Sequence, residues 1–135
     1  MGTLTLNYWA VAAAALSAFV LGGLWYSNLV FGRVWQKAAG LSDQDLAGRR
    51  MGIVFGASFF WSLVMAFDLT FFLAGPTTTP VWGLAAGLLA GIGWAAAGLC
   101  IIGLFEARPA KWMLINGGYL ALSLGIMGLI IGTWR

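Results

Sequence analysis

Four long apolar runs constrain this chain more than any other feature. They are Tyr8–Leu29, Met51–Ala74, Val81–Phe105 and Met113–Trp134, of 22, 24, 25 and 22 residues. A helix needs roughly 20 mostly apolar residues to cross the hydrocarbon of a bilayer. Asp68 is the only charged residue inside any of the four runs. A closed barrel would instead need segments of alternating apolar and polar residues, and stretches such as Ala10–Ala18 and Leu84–Ile92 do not alternate. The expectation is an all-α integral membrane four-helix bundle, up-down-up-down, in a single domain over residues 1–135. Composition agrees: 61% of the residues are hydrophobic and 8% charged, too few charges to cover a water-soluble monomer. The first run follows Met1–Asn7, which carries no basic side chain, so it is read as a retained span and not as a cleaved signal peptide.

Punctuation marks the ends of the helices. Gly75-Pro76 stops the second helix, Thr79-Pro80 opens the third as N-cap and first-turn proline, and Pro109 opens the fourth. The longest connection, residues 30–50, should carry a short amphipathic extension of the first helix. Arg33 and Lys37 lie on that extension with Phe31 and Trp35 near the headgroups, and Gly40 stops it. Ser42 with Asp45 three residues on approaches a capping box, so the second helix should start in water near Asp43 and enter the membrane near Arg50.

Orientation follows from Lys and Arg. Arg33, Lys37, Arg49, Arg50, Arg108 and Lys111 fall in the two connections on one side, against Arg135 on the other. Basic residues favour the cytoplasmic side, so both termini are expected outside the cytoplasm. Trp9, Trp82 and Trp134 would then mark the outer interface, and Trp35 and Trp112 the inner one.

Small residues recur at four-residue spacing: Ala10, Ala14, Ala18 and Gly22 on helix one, Gly52 and Gly56 on helix two, Gly128 and Gly132 on helix four. Helix three carries the ridge Gly83, Gly87, Gly91. Apolar burial gains little between helices in lipid, so close backbone approach must hold them together. The ridge is expected either to pack the bundle or to form a homodimer seam.

Two places could carry function. Asp68 is a candidate intramembrane acid, because burying its charge is costly. Its alternative is an outer-interface residue, or a partner of Arg135 or Asn7. The second place is a polar and aromatic layer in the inner leaflet, built from Trp25 and Tyr26 with Ser27 and Asn28, from Asn116 and Tyr119 with Ser123, and from Glu106 with Cys100 nearby. Asn116, Tyr119 and Ser123 share a helix face. This layer either recognises a ligand or simply joins helices at the interface. Trp61 and Trp94, near the bilayer centre, should pack the core or line a cavity.

Subtraction removes several activities. Asp68 and Glu106 should lie at opposite membrane faces, so they cannot share a proton as a protease dyad does. There is no histidine to serve as a base, no plausible metal-ligand set and no phosphate-binding loop. The net charge of +3 on the inner connections suits anionic lipid headgroups better than nucleic acid. No catalytic residue, cofactor or metal is expected.

The segment Gly22-Gly23-Leu24-Trp25-Tyr26-Ser27-Asn28-Leu29-Val30-Phe31-Gly32, with Trp35 and Gly40-Leu41-Ser42 after it, resembles the N-terminal signature of a bacterial membrane family, domain-of-unknown-function family 1761. Leu104-Phe105-Glu106, Leu114-Ile115-Asn116-Gly117-Gly118-Tyr119 and Gly128…Gly132…Trp134 resemble its C-terminal half. The resemblance implies a four-helix protein of the bacterial inner membrane and supplies no activity. The family commonly has proline where Asn28 stands and often histidine where Leu120 stands, so any chemistry resting on that histidine is missing here. The expected function is that of a non-enzymatic multipass protein binding a lipid or hydrophobic molecule, or assisting a partner membrane protein. The alternative is a subunit of a small oligomeric transporter or channel.

Overall fold

The computed structural model describes residues 4–134. Among them there are seven α-helices and no strands: α1 Tyr8–Trp25, α2 Gly32–Ala39, α3 Asp43–Ala47, α4 Met51–Leu73, α5 Pro80–Ala90, α6 Ala97–Phe105 and α7 Ala110–Thr133. A π-helical segment, Gly91–Ala96, joins α5 to α6, so these three pieces form one long rod. The four rods Tyr8–Trp25, Met51–Leu73, Pro80–Phe105 and Ala110–Thr133 are each long and apolar enough to cross a membrane. The chain is an all-α four-helix membrane bundle.

Local chemistry sets most helix ends. The Asn7 side chain accepts from the Trp9 and Ala10 amides at the start of α1. Thr79 caps α5 with Pro80 in its first turn. Ser42 and Asp45 form a complete capping box on α3, and Gly40 ends α2 at φ 70°, a left-handed conformation that glycine adopts without penalty.

The connection at this end differs from the expected continuation of the first and second spans. α1 stops at Trp25, four residues early, and the chain reverses. The Ser27 carbonyl accepts from both Val30 and Gly32, and the Trp25 carbonyl accepts from Phe31. A Cβ on Gly32 would come within 2.6 Å of the Tyr26 carbonyl oxygen, so this fold-back requires glycine. The second span likewise does not run on from Asp43, because α3 ends at Gly48 and α4 begins afresh at Met51. α2 thereby lies across the end of the bundle. Its far end is fixed where the Arg108 guanidinium donates to the Ala39 carbonyl at 3.1 Å.

The core is built around α7. The ridge Gly83–Gly87–Gly91 lies directly on the backbone of α7 in antiparallel register. A Cβ on Gly83 would overlap the Gly128 carbonyl oxygen, one on Gly87 the Leu124 carbonyl oxygen, and one on Gly91 would come within 2.6 Å of the Ala121 Cα. Side-chain-free ridges on both partners permit that approach. The ridge is therefore occupied within the chain, by α7. On the other side, Val11, Ala14, Ala15 and Ala18 of α1 meet Ala66, Leu69 and Leu73 of α4 and Leu124, Met127 and Ile131 of α7. Toward the basic end, Phe19 holds α1 off α4 through edge contacts with Phe55 and Phe59, ring centroids 5.8 and 5.7 Å apart. Gly52 and Gly56 touch nothing outside their own helix.

Trp61 and Trp94 are not core residues. They are 61% and 70% exposed, on the outer surface that lipid would cover. Trp61 rests on Phe60, and Trp94 on Phe72.

Candidate functional site

Where Phe19 separates α1 from α4, the gap widens into a cavity of about 600 Å³ at the basic end. α1 and the fold-back supply Gly22, Gly23, Tyr26, Ser27 and Asn28 to its wall. α2 covers it with Trp35 and Gln36. α4 adds Val54, Phe55, Ser58 and Ser62, and α7 adds Asn116 and Tyr119. Arg49, between α3 and α4, completes the lining. Gly23, Phe55 and Ser58 in its wall are exposed, as are Asn28 and Arg49, so the cavity is open between α1 and α4 and toward the connections at the basic end.

Four members of the expected layer are brought together. The Tyr26 hydroxyl donates to the Asn116 side-chain oxygen at 2.6 Å, and the Tyr119 hydroxyl donates to the Ala18 carbonyl at 3.0 Å. The two tyrosine rings meet edge-on at 5.4 Å, and Trp35 packs on the other side of Tyr26 at 5.3 Å. Trp25 donates its indole N–H to the Ile115 carbonyl at 2.9 Å. Its ring lies over Gly118 and against Phe31, so it supports the layer from behind and does not line the cavity. Long-range bonds of this kind fix α1 against α7, because buried donors in an apolar setting must find acceptors.

Glu106 corrects the expectation. It caps the end of α6, exposed, and pairs with Arg108 at 3.1 Å. The turn into α7 turns it away from the cavity and toward Arg108, which also stacks on Trp112 at 5.5 Å. Cys100 and Ser123 do not line the cavity either; Ser123 is fully buried. Asp68 is exposed on α4 and has no hydrogen bond or ion pair among the described residues. Asn7 is not its partner, since it caps α1 and its amide nitrogen lies 3.4 Å from the Trp134 carbonyl. Arg135, the other expected partner, lies outside the described residues.

The α4 wall and Arg49 were not foreseen. Ser58 and Ser62, four residues apart beside Val54 and Phe55, do mark a polar stripe on one helix face. Nothing in the sequence tells that this stripe faces Tyr26 and Asn116.

Inside the cavity, the hydroxyl hydrogens are already engaged. Tyr26 and Tyr119 bond as above. Ser27 donates to Leu24, Ser58 to Val54 and Ser62 to Ser58. Gln36 donates to the Asp43 carboxylate at 2.7 Å. Among the described residues, the Asn116 amide nitrogen has no protein partner, and Arg49 uses only its Nε, toward the Leu46 carbonyl at 3.3 Å. The side chain of Asn28, also in the wall, has no partner among the described residues, and the hydroxyl oxygens and the Gln36 side-chain oxygen can still accept, so the arrangement can receive a largely apolar molecule with a polar head.

Neither the curated proteins nor the solved structures contain a match to this chain. Over residues 9–132 it matches the family described as "Protein of unknown function (DUF1761)", and it belongs to that family.

Proposed function

We propose that this is a non-enzymatic multipass protein of the bacterial inner membrane that binds a lipid or other hydrophobic molecule in the cavity between α1, α2, α4 and α7. The single observation that carries the reading is that cavity, lined by Phe19, Val54 and Phe55 together with the Tyr26–Asn116–Tyr119 layer, all on or beside the apolar helices long enough to cross a membrane. Ligand sites of this size are mostly apolar with a few convergent polar groups. The excess of Lys and Arg in the two connections beside it supports a cytoplasmic position for the cavity, with both termini outside. Binding is favoured over transport, because packed Ala14, Ala18, Ala66 and Met127 lie between the cavity and the opposite end of the bundle. A conducting path would have to displace them.

Gly23 provides the test. A Cβ there meets nothing within 4 Å, so Gly23→Leu should fill the cavity without disturbing the backbone. Native mass spectrometry of the protein extracted in mild detergent should show a co-purifying molecule that Gly23→Leu removes. Gly98→Leu, equally unobstructed but on α6 away from the cavity, should retain it. Retention by both variants, with unchanged thermal stability, would remove the cavity from consideration as the binding site. Cysteines placed at the exposed Thr77 and Asp43 in a Cys100→Ser background test the orientation: an impermeant thiol reagent should label the first and not the second on intact cells.

A further inference from the structure

The cavity carries a bias in charge that narrows what it can hold. Among its lining residues Arg49 is the one charged side chain, and no carboxylate lines it. Asp43, the nearest acid in the hydrogen-bond network, is turned to Gln36 and is not part of the wall. The hydroxyl groups direct their hydrogens into protein carbonyls or into Asn116. What a guest meets is the terminal guanidinium nitrogens of Arg49, the Asn116 amide nitrogen on the α7 wall and the Asn28 side-chain amide, with the hydroxyl and Gln36 oxygens left as acceptors. Opposite them the surface is apolar, formed by Phe19, Val54 and Phe55. A guest with a neutral head would leave Arg49 without a counter-charge. A guest with an anionic head and a hydrocarbon tail satisfies both ends.

We infer that the cavity selects an anionic amphiphile, a carboxylate or phosphate head on an acyl chain, with Arg49 pairing the anion and Asn116 donating to a head-group oxygen. This rests on the binding function proposed above and adds the class of ligand. Arginine matches carboxylate and phosphate oxygens through paired N–H donors. The chain lies along Phe19 and Phe55 and leaves through the lateral opening into the surrounding lipid. A free fatty acid and an anionic phospholipid share this chemistry, and the experiment separates them.

The full chain, delipidated in a neutral detergent, is titrated with oleate, oleyl alcohol, dioleoylphosphatidylglycerol and dioleoylphosphatidylcholine, and bound adducts are counted by native mass spectrometry. Oleate should bind at least about tenfold tighter than oleyl alcohol, or the phosphatidylglycerol about tenfold tighter than the phosphatidylcholine, the scale of one charge-assisted hydrogen bond. Preference confined to oleate assigns a free acid; preference confined to the phospholipid pair assigns a lipid headgroup. Arg49→Gln should abolish the preference. Arg50→Gln, which removes an equal charge from a residue outside the cavity lining, should preserve it and so separates pairing from general attraction to the basic end. The comparison of oleate with oleyl alcohol uses the unaltered chain and holds even if Arg49→Gln fails to fold. Equal binding of charged and uncharged probes, abolished by Gly23→Leu, would overturn the anion selectivity and leave the cavity as a binding site. Binding of every probe unaffected by Gly23→Leu would overturn the cavity reading and this inference with it.

Discussion

The interface between α5 and α7 and the interface between α1 and α4 start from similar sequence material and end in opposite states. Both pairs carry small residues at four-residue intervals. On α5 and α7 the glycines face one another, and Gly83 and Gly128 each sit where a Cβ would meet the other's carbonyl. On α4, Gly52 and Gly56 face open space, while Phe19 wedges between Phe55 and Phe59 and keeps α1 away. The first interface is closed along its length; the second is closed around Ala14, Ala18 and Ala66 and opens into a cavity beyond Phe19. A small-residue ridge thus permits close approach without causing it. Contact requires a second ridge in register, and a single aromatic residue on the facing helix suffices to hold the gap open.

The largest expected effect falls on the closed interface. Gly83→Leu or Gly87→Leu puts a branched side chain into the α7 backbone, which cannot move aside, and should cost more than about 4 kcal/mol, enough to abolish the folded monomer. Gly56→Leu, the same change on the open side, should not destabilise the protein as read from thermal unfolding in detergent. Equal damage from the two would show that α4 packs more closely than its free glycines indicate.

A smaller effect is expected at the polar layer that bounds the open region. Tyr26→Phe and Asn116→Leu remove the two ends of one hydrogen bond. Each should destabilise by roughly 1 kcal/mol, and the double variant should be little worse than either alone. Fully additive losses, read from thermal unfolding, would mean that the two residues act independently.

On the open side, Gly52→Ala and Gly56→Ala should stabilise α4 slightly, by up to roughly 1 kcal/mol each, since alanine is the better helix former where nothing obstructs it. The same change at Gly91 should destabilise, because the Ala121 Cα stands 2.6 Å from the new methyl carbon. A common sign at all three sites would contradict the contrast between the two interfaces.

The smallest effect concerns α3, which leads into the open wall. Hydrogen bonds from the Ser42 backbone, and then its side chain, hold the Asp45 carboxyl below its ordinary value of 3.8. The folded cap binds the proton less readily than the unfolded segment. Its contribution is therefore complete above pH 3.8 and is lost as the pH falls through the lower folded value. Carboxyl chemical shifts of Asp45 followed by NMR should titrate below the ordinary value of 3.8. Ser42→Ala should bring the Asp45 shifts up toward the ordinary value.

Much of the architecture was legible in the sequence because it depends on properties of one segment at a time. Run length and hydrophobicity place four spans, since a lone helix must satisfy its backbone and present apolar side chains to lipid wherever its neighbours lie. Asn7, Ser42, Thr79 and Gly40 fix helix ends through bonds to residues within four positions. Shared depth was enough to bring Tyr26, Asn116 and Tyr119 to one level, because rise per residue is constant along each helix. Depth alone could not decide rotation. Glu106 lies at the expected end of its helix yet turns to Arg108, and Trp61 and Trp94 lie at mid-span yet face outward. The reversal at Ser27–Gly32 that lays α2 over the cavity, the occupation of the Gly83–Gly87–Gly91 ridge by α7, and the placing of Ser58 and Arg49 opposite Asn116 all depend on how helices distant in sequence are turned toward one another. That is settled by steric fit between whole faces, with Gly83 against Gly128 and Phe19 against Phe55, and no single segment contains both halves of such a fit.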